Sequence, residues 1–255
     1  MTQAPDSLRA LLESVVDYAG LYPPAGLPLS EATADFEAYR ASPAGWMLNR
    51  LVLPYSQLNQ AALKDGWRVT LLVEDEPGPL PPAVESLETK SARKLSLPTY
   101  CEAPLECIHG AFAKIRTGGV TADAIPRSDL LASLLFRAAN LRLPFKATAG
   151  LHHPVRNEYP LTYAADSPKA VMHGFLNFFV AASFAWFGLD QIDLAGILNE
   201  EDVRAFQFLS GELRYRDLKI ETGRIRSARR EFAHSFGSCS FVEPVAGLRE
   251  LGLIS

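Results

Sequence analysis

Apolar positions along the chain change period several times, and each change marks an element. Leu8, Leu11, Leu12, Val15 and Val16 recur at helical spacing from Ser7 to Val16, behind a capping Asp6 or Ser7. A second helix is predicted over Ser30 to Arg40. Between the two, Asp17-Tyr18-Ala19-Gly20-Leu21-Tyr22-Pro23-Pro24 reads as a rigid loop, with Tyr18 placed to cover a site or donate a proton. Short apolar runs then predict strands at Arg50–Pro54, Arg68–Glu74, Lys94–Glu102, Phe112–Thr117, Phe145–Gly150 and Phe236–Val242, with weaker runs at Val171–Phe175 and Ala205–Leu209. Helical stretches fall between them at Arg127–Asn140, Leu176–Phe187 and Gly223–His234, while Glu76–Pro82 reads as a surface loop.

Strands alternating with helices imply a mostly parallel sheet, because parallel strands need crossover connections. Six clear strands and two weaker ones predict an α/β fold: a single (β/α)8 barrel over residues 1–255, with residues 1–45 as an N-terminal helical segment and Pro-rich loop and residues 46–255 as the barrel. An open doubly wound sheet is disfavoured by the lack of a G-x-G-x-x-G or P-loop match.

Two of these strands carry charge where a barrel interior is normally apolar. In Ala113-Lys114-Ile115-Arg116-Thr117-Gly118-Gly119, alternation puts Lys114 and Arg116 on one face; in Phe145-Lys146-Ala147-Thr148-Ala149-Gly150 it does the same for Lys146 and Thr148. If these strands are neighbours, three cationic groups converge on one mouth of the barrel. Unpaired buried charge costs several kcal/mol, so the cluster points to a site for a small anionic substrate.

The remaining strand ends add polar groups. Glu102, His152, His153, His173, Ser238, Ser240 and Glu243 all fall at or just beyond predicted strand ends, where barrel enzymes carry their chemistry. Arginine offers a planar fork to a carboxylate or phosphate, and Gly118 and Gly119 let backbone N–H groups approach, so Arg116-Thr117-Gly118-Gly119 suits an anion. Thr148, His152, His173, Ser238, Ser240 and Glu243 complete the expected substrate site, with the two serines near the last strand as phosphate ligands. Lys146 becomes a nucleophile if burial and the neighbouring cations lower its pKa from about 10.4. The structural alternative is that Lys146 or Lys114 pairs with Glu102. Cys239 is a second candidate nucleophile, approached by His152, His153 or His173.

Lys146-Ala147-Thr148-Ala149-Gly150 resembles the Lys-x-Thr-x-Gly strand of class I aldolases of the deoxyribose-phosphate type, and Lys114 before Gly118-Gly119 is similar to that family's second lysine. The order of the two strands is reversed relative to the family, and Arg116-Thr117 stands before the glycines. The resemblance implies a β/α barrel, an imine on Lys146 and a Lys114 that lowers its pKa.

The chain is 255 residues long, with 48% hydrophobic and 21% charged residues and a net charge of −4, an ordinary globular composition without the basic excess of a general nucleic-acid binder. Three cysteines and no C-x-x-C exclude a disulfide scaffold or zinc knuckle. Met1–Asp6 lacks the character of a leader, and the apolar run from Phe175 to Leu189 is shorter than the ~20 residues of a bilayer span, so a cytoplasmic protein without membrane partners is expected, with homo-oligomerisation left open. The functional expectation is a lyase of aldolase or dehydratase type acting on a carboxylated or phosphorylated carbonyl compound through Lys146, with Lys114, Glu102 and His153 assisting and no cofactor. A divalent metal on His152, His153, His173 and Glu102 or Glu243 supports the alternative, a metal-dependent lyase or hydrolase; a non-catalytic anion-binding protein is the third reading.

Overall fold

The computed structural model describes residues 4–255; Met1, Thr2 and Gln3, part of the stretch read for a leader, lie outside them. Eight parallel strands close into a barrel: β1 (Val16–Tyr18), β2 (Leu48–Pro54), β3 (Val69–Leu72), β4 (Val84–Thr89), β5 (Thr99–Cys101), β6 (Phe112–Arg116), β7 (Phe145–Thr148) and a last strand, β13 (Ala233–Ser238), which pairs with both β7 and β1. The α/β barrel is therefore the fold.

Two of its strands differ from the expected set. β1 lies inside the segment expected to precede the barrel, so Val16 leaves the first helix and Asp17 and Tyr18 are strand, not loop. The other, β4, carries Glu85, Ser86, Glu88 and Thr89, a polarity that hides it among loop-like sequence. The weaker candidates near Val171 and Ala205 are strands outside the barrel: β8 (Asn157–Pro160) and β9 (Lys169–Met172) form a hairpin, while β10 (Phe206–Phe208), β11 (Glu212–Tyr215) and β12 (Leu218–Glu221) form a small antiparallel sheet. Val242, expected in the last strand, instead begins a helix.

Among the described residues, seven α-helices surround the strands: α1 (Asp6–Leu12), α2 (Leu29–Ala41), α3 (Ser128–Asn140), α4 (Phe175–Trp186), α5 (Gln191–Asn199), α6 (Thr222–Glu231) and α7 (Val242–Glu250). The crossovers between β2 and β6 are loops or short 3-10 helices of at most six residues. The helical mass therefore lies on the side of β6, β7 and β13, where α3, α4, α5 and α6 pack on one another. Apolar on all sides, α4 is buried as such a helix must be, with Phe178 edge-on to Phe145 and Phe175 stacked on Phe236. Among the described residues, no helix is long and apolar enough to cross a membrane.

One polar residue of α4 fixes the loop that follows β7. Asn177 donates to the carbonyls of Ile197 and Glu200, each at 2.8 Å, and accepts from the Arg156 backbone N–H at 3.0 Å. The first free N–H groups of α4, on Phe175 and Leu176, donate to the carbonyls of His153 and Pro154 at 2.9 Å. Burial of Asn177 is thus matched by partners on every side, and the stretch carrying His152 and His153 is held by the core.

Candidate functional site

Register carries the inward-facing parity around the barrel. Lys114 pairs with Lys146, Arg116 with Thr148, Thr148 with Gly237, Gly237 with Asp17, and Glu88 with Tyr100. The two charged strands are neighbours and present their cations to one interior, as the alternation predicts.

The partners of those cations are the unexpected part. Lys146 donates to Asp17 and, at 2.5 Å, to Glu88 Oε1. Lys114 Nζ lies 2.8 Å from Glu88 Oε2 and 3.4 Å from Glu102 Oε2. Arg116 reaches Glu102 Oε1 through Nε at 2.8 Å and an Nη at 2.6 Å. The result is a chain of alternating charge, Asp17–Lys146–Glu88–Lys114–Glu102–Arg116, crossing the barrel from β1 to β7, β4, β6 and the residue just past β5. Its deep end is sealed: Lys146 and Asp17 are each 1% exposed, and Asp17 also accepts from Asn49 at 2.6 Å and Ser235 at 2.8 Å. Its outer end opens, with Arg116 half exposed.

Electrostatics follow from that pairing. Burial works to lower the Lys146 pKa, but the charges and hydrogen bonds of Asp17 and Glu88 outweigh it and hold Lys146 above the ordinary lysine range. This reverses the expectation that neighbouring cations depress Lys146: Glu88 stands between it and Lys114, and Asp17 clamps it from the other side. Burial likewise raises Glu88, yet Lys146 and Lys114 pull its carboxyl down to about 2.

Above the chain, at the C-terminal ends of the strands, lies a cavity of about 600 Å³ lined by Lys114, Arg116, Glu88, Glu102, Thr148, Gly119, His152 and His153, together with Tyr22, Cys239 and Glu243. Lys146 sits beneath it and is not part of its lining. The β8–β9 hairpin forms one wall with Pro160, Leu161, Thr162, Tyr163 and Met172. Gly118 and Gly150 bring the loops after β6 and β7 into backbone contact. A Cβ on Gly118 would lie 2.9 Å from the Gly150 Cα, and Gly150 itself has φ +81°. The Thr117 hydroxyl ties the same two loops by donating to the Ala149 carbonyl at 2.5 Å.

Several other expected residues are held by local contacts. His173 bonds the Pro126 carbonyl at 2.7 Å, and burial lowers its pKa. His153 stacks on Tyr159 with centroids 3.5 Å apart, and burial, with the nearby His152, lowers it to about 4. The Ser238 hydroxyl donates to the Ser240 carbonyl at 2.6 Å, and Ser240 Oγ accepts from the Glu243 N–H at 3.1 Å, so both hydroxyls shape the entry to α7. Tyr18 is buried and bonds Asp35 at 3.2 Å; Tyr22, from the same segment, lines the cavity in its place. Among the described residues, no group of three or more His, Cys, Asp or Glu side chains is placed to hold a metal ion, because His152, His153 and His173 diverge into these separate contacts.

Sequence reasoning missed Asp17, Glu88, Tyr22 and Tyr163. The cysteine site is sharper than expected: His152 Nε2 lies 4.0 Å from Cys239 Sγ, and His152 Nδ1 lies 2.9 Å from Glu243 Oε2.

A scan of family models finds none that matches this chain, and searches of curated proteins and of solved structures find no match.

Proposed function

We propose that the cavity is the active site of a lyase-type enzyme acting on a small carboxylated or phosphorylated carbonyl compound, with Lys114 as the amine that forms the imine. The observation that carries this reading is the alternating chain of charge at the cavity floor, whose open end holds Lys114, Glu102 and Arg116 together. Lys146, sealed and clamped by Asp17 and Glu88, is the anchor of the chain and keeps Glu88 ionised beneath Lys114.

Glu102 holds Arg116 and Lys114 at once, which couples binding to chemistry. An acidic group of the substrate competes with Glu102 for the Arg116 fork. Glu102, released from the guanidinium, accepts a proton from Lys114. The neutral amine attacks the carbonyl carbon, forming the C–N bond as the carbonyl electron pair moves to oxygen. That oxygen takes one proton back from Glu102 and a second from the attached nitrogen, the C–O bond breaks and water leaves. The protonated imine then draws electrons from the adjacent C–H or C–C bond.

The test is hydrogen exchange. A simple 2-oxo acid such as pyruvate, incubated with the protein in deuterium oxide, exchanges the hydrogens beside its carbonyl by way of the enamine, followed by proton NMR. Exchange that disappears in Lys114→Ala supports the reading. Exchange no faster than in buffer across a panel of small 2-oxo acids and phosphorylated aldehydes contradicts it.

A further inference from the structure

The wall of the cavity above β7 and β13 carries a second reactive set. Cys239 directly follows β13, His152 lies in the loop after β7 and Glu243 is in the first turn of α7. The three line the same cavity, with Cys239 Sγ 4.0 Å from His152 Nε2 and His152 Nδ1 2.9 Å from Glu243 Oε2. Nucleophile, base and carboxylate thus stand in line, the carboxylate fixing which ring nitrogen faces the sulfur. The Tyr163 hydroxyl, from the hairpin loop, donates to Glu243 at 2.9 Å and lies 3.5 Å from Cys239 Sγ. The hairpin wall therefore closes directly onto the sulfur.

We infer that Cys239, His152 and Glu243 form a thiol acyl-transfer site that takes a small carboxylic ester or thioester into the cavity. Its electrostatics agree with the geometry. Burial pushes the Cys239 thiol up, but the hydrogen bond and charge of His152 outweigh it and leave the thiol below its ordinary value. Burial depresses His152, while Cys239 and Glu243 raise it to about 9. Each group thus favours the charged form of the other.

The step balances without a cofactor. The Cys239 thiolate attacks the acyl carbon, forming the C–S bond and moving the carbonyl electron pair to oxygen. Collapse of that intermediate breaks the bond to the leaving alcohol or thiol, which takes its proton from His152. Water then gives a proton to His152 and attacks the thioester carbon, the C–S bond breaks, and acid and free thiolate return. Among the described residues Cys239 is one of three free cysteines; Cys101 is buried away from the cavity and Cys107 is exposed. Those two serve as internal references.

The experiment is thiol mapping of the whole protein. At pH 6.5 an ordinary thiol of pKa about 8.5 is about 1% thiolate, so Cys239 is expected to react with iodoacetamide about tenfold or more faster than Cys107 despite its lower exposure. His152→Gln and Glu243→Gln, each checked for an unchanged thermal melt, are expected to remove most of that advantage. With p-nitrophenyl acetate, intact mass and peptide mapping are expected to show transient acetylation on Cys239. Two results overturn the inference: a Cys239 rate at or below that of Cys107, or acetyl groups found only on lysines. If His152→Gln fails to fold, Glu243→Gln and Tyr163→Phe decide, and a Cys239 rate unchanged in both also overturns it. The alkylation readout does not pass through Lys114, so it succeeds or fails separately from the lysine reading.

Discussion

Lys114 and Lys146 occupy paired register positions on adjacent strands, and a single carboxylate, Glu88, binds both, at 2.8 Å through one oxygen and 2.5 Å through the other. Two ammonium groups side by side in a barrel interior would repel strongly at low dielectric. The carboxylate between them removes that repulsion, and Asp17 completes the clamp on the deeper lysine.

Lys146 is therefore expected to matter for folding before it matters for chemistry. Lys146→Met leaves Asp17 and Glu88 buried with one counter-charge fewer, and removing one partner of a buried pair typically costs about 3–5 kcal/mol. Urea unfolding monitored by far-UV circular dichroism measures it. A loss of less than about 1 kcal/mol would mean the ion pairs are not formed in solution.

Acid stability follows from Glu88. Its carboxyl is held at about 2 in the fold, against an ordinary 4.5 when the chain is unfolded. A depressed carboxyl stabilises the fold above the unfolded value, and that contribution is lost as pH falls through the folded one. The melting temperature is expected to drop between about pH 4.5 and 2, and the drop is expected to be shallower in Glu88→Gln, which starts from a lower plateau. Parallel pH profiles in the two proteins would contradict this.

Glu102→Gln separates binding from turnover. Without the carboxylate, Arg116 is freer to bind a substrate anion, while Lys114 loses its proton acceptor. Affinity for an unreactive anion, measured by calorimetry, is expected to rise, by about the 1.5–3 kcal/mol or less that a charged hydrogen bond contributes, and deuterium exchange is expected to fall. Loss of both affinity and exchange would place Glu102 among the direct ligands of the substrate.

Gly150→Ala tests the loop contact beside the cavity. Its Cβ would lie 2.8 Å from the Gly118 Cα, and alanine at φ +81° is strained in any surroundings. A loss of about 1–3 kcal/mol is expected, typical of strain at such backbone positions. A melt within 1 °C of the parent would show that the two loops do not touch.

Reading the sequence by alternation identified the shared face of Lys114 and Arg116, that of Lys146 and Thr148, and the adjacency of their strands, because each depends only on local parity. What alternation cannot carry is the partner of a buried charge. Asp17 and Glu88 stand 129 and 58 residues from Lys146, on the two barrel strands that resisted detection. β1 is three residues long in a segment dense in tyrosine, proline and glycine, while β4 is polar because its inward positions, Ser86 and Glu88, face a polar interior. These two hidden strands carry the carboxylates that reverse the expected state of Lys146. Cys239 and His152 were legible as neighbours of the site, but Glu243 as the carboxylate behind His152 depends on the start of α7 falling at Val242, which the strand-like Phe241-Val242 conceals.

The most direct measurement is borohydride trapping. The protein is mixed with pyruvate or a phosphorylated aldehyde, reduced with sodium borohydride, digested and mapped by mass spectrometry. A reduced adduct is expected on Lys114, absent in Lys114→Ala and still formed on Lys114, more weakly, in Arg116→Lys. An adduct on Lys146 in the intact protein, or none on either lysine with any carbonyl compound that the protein binds, would contradict it.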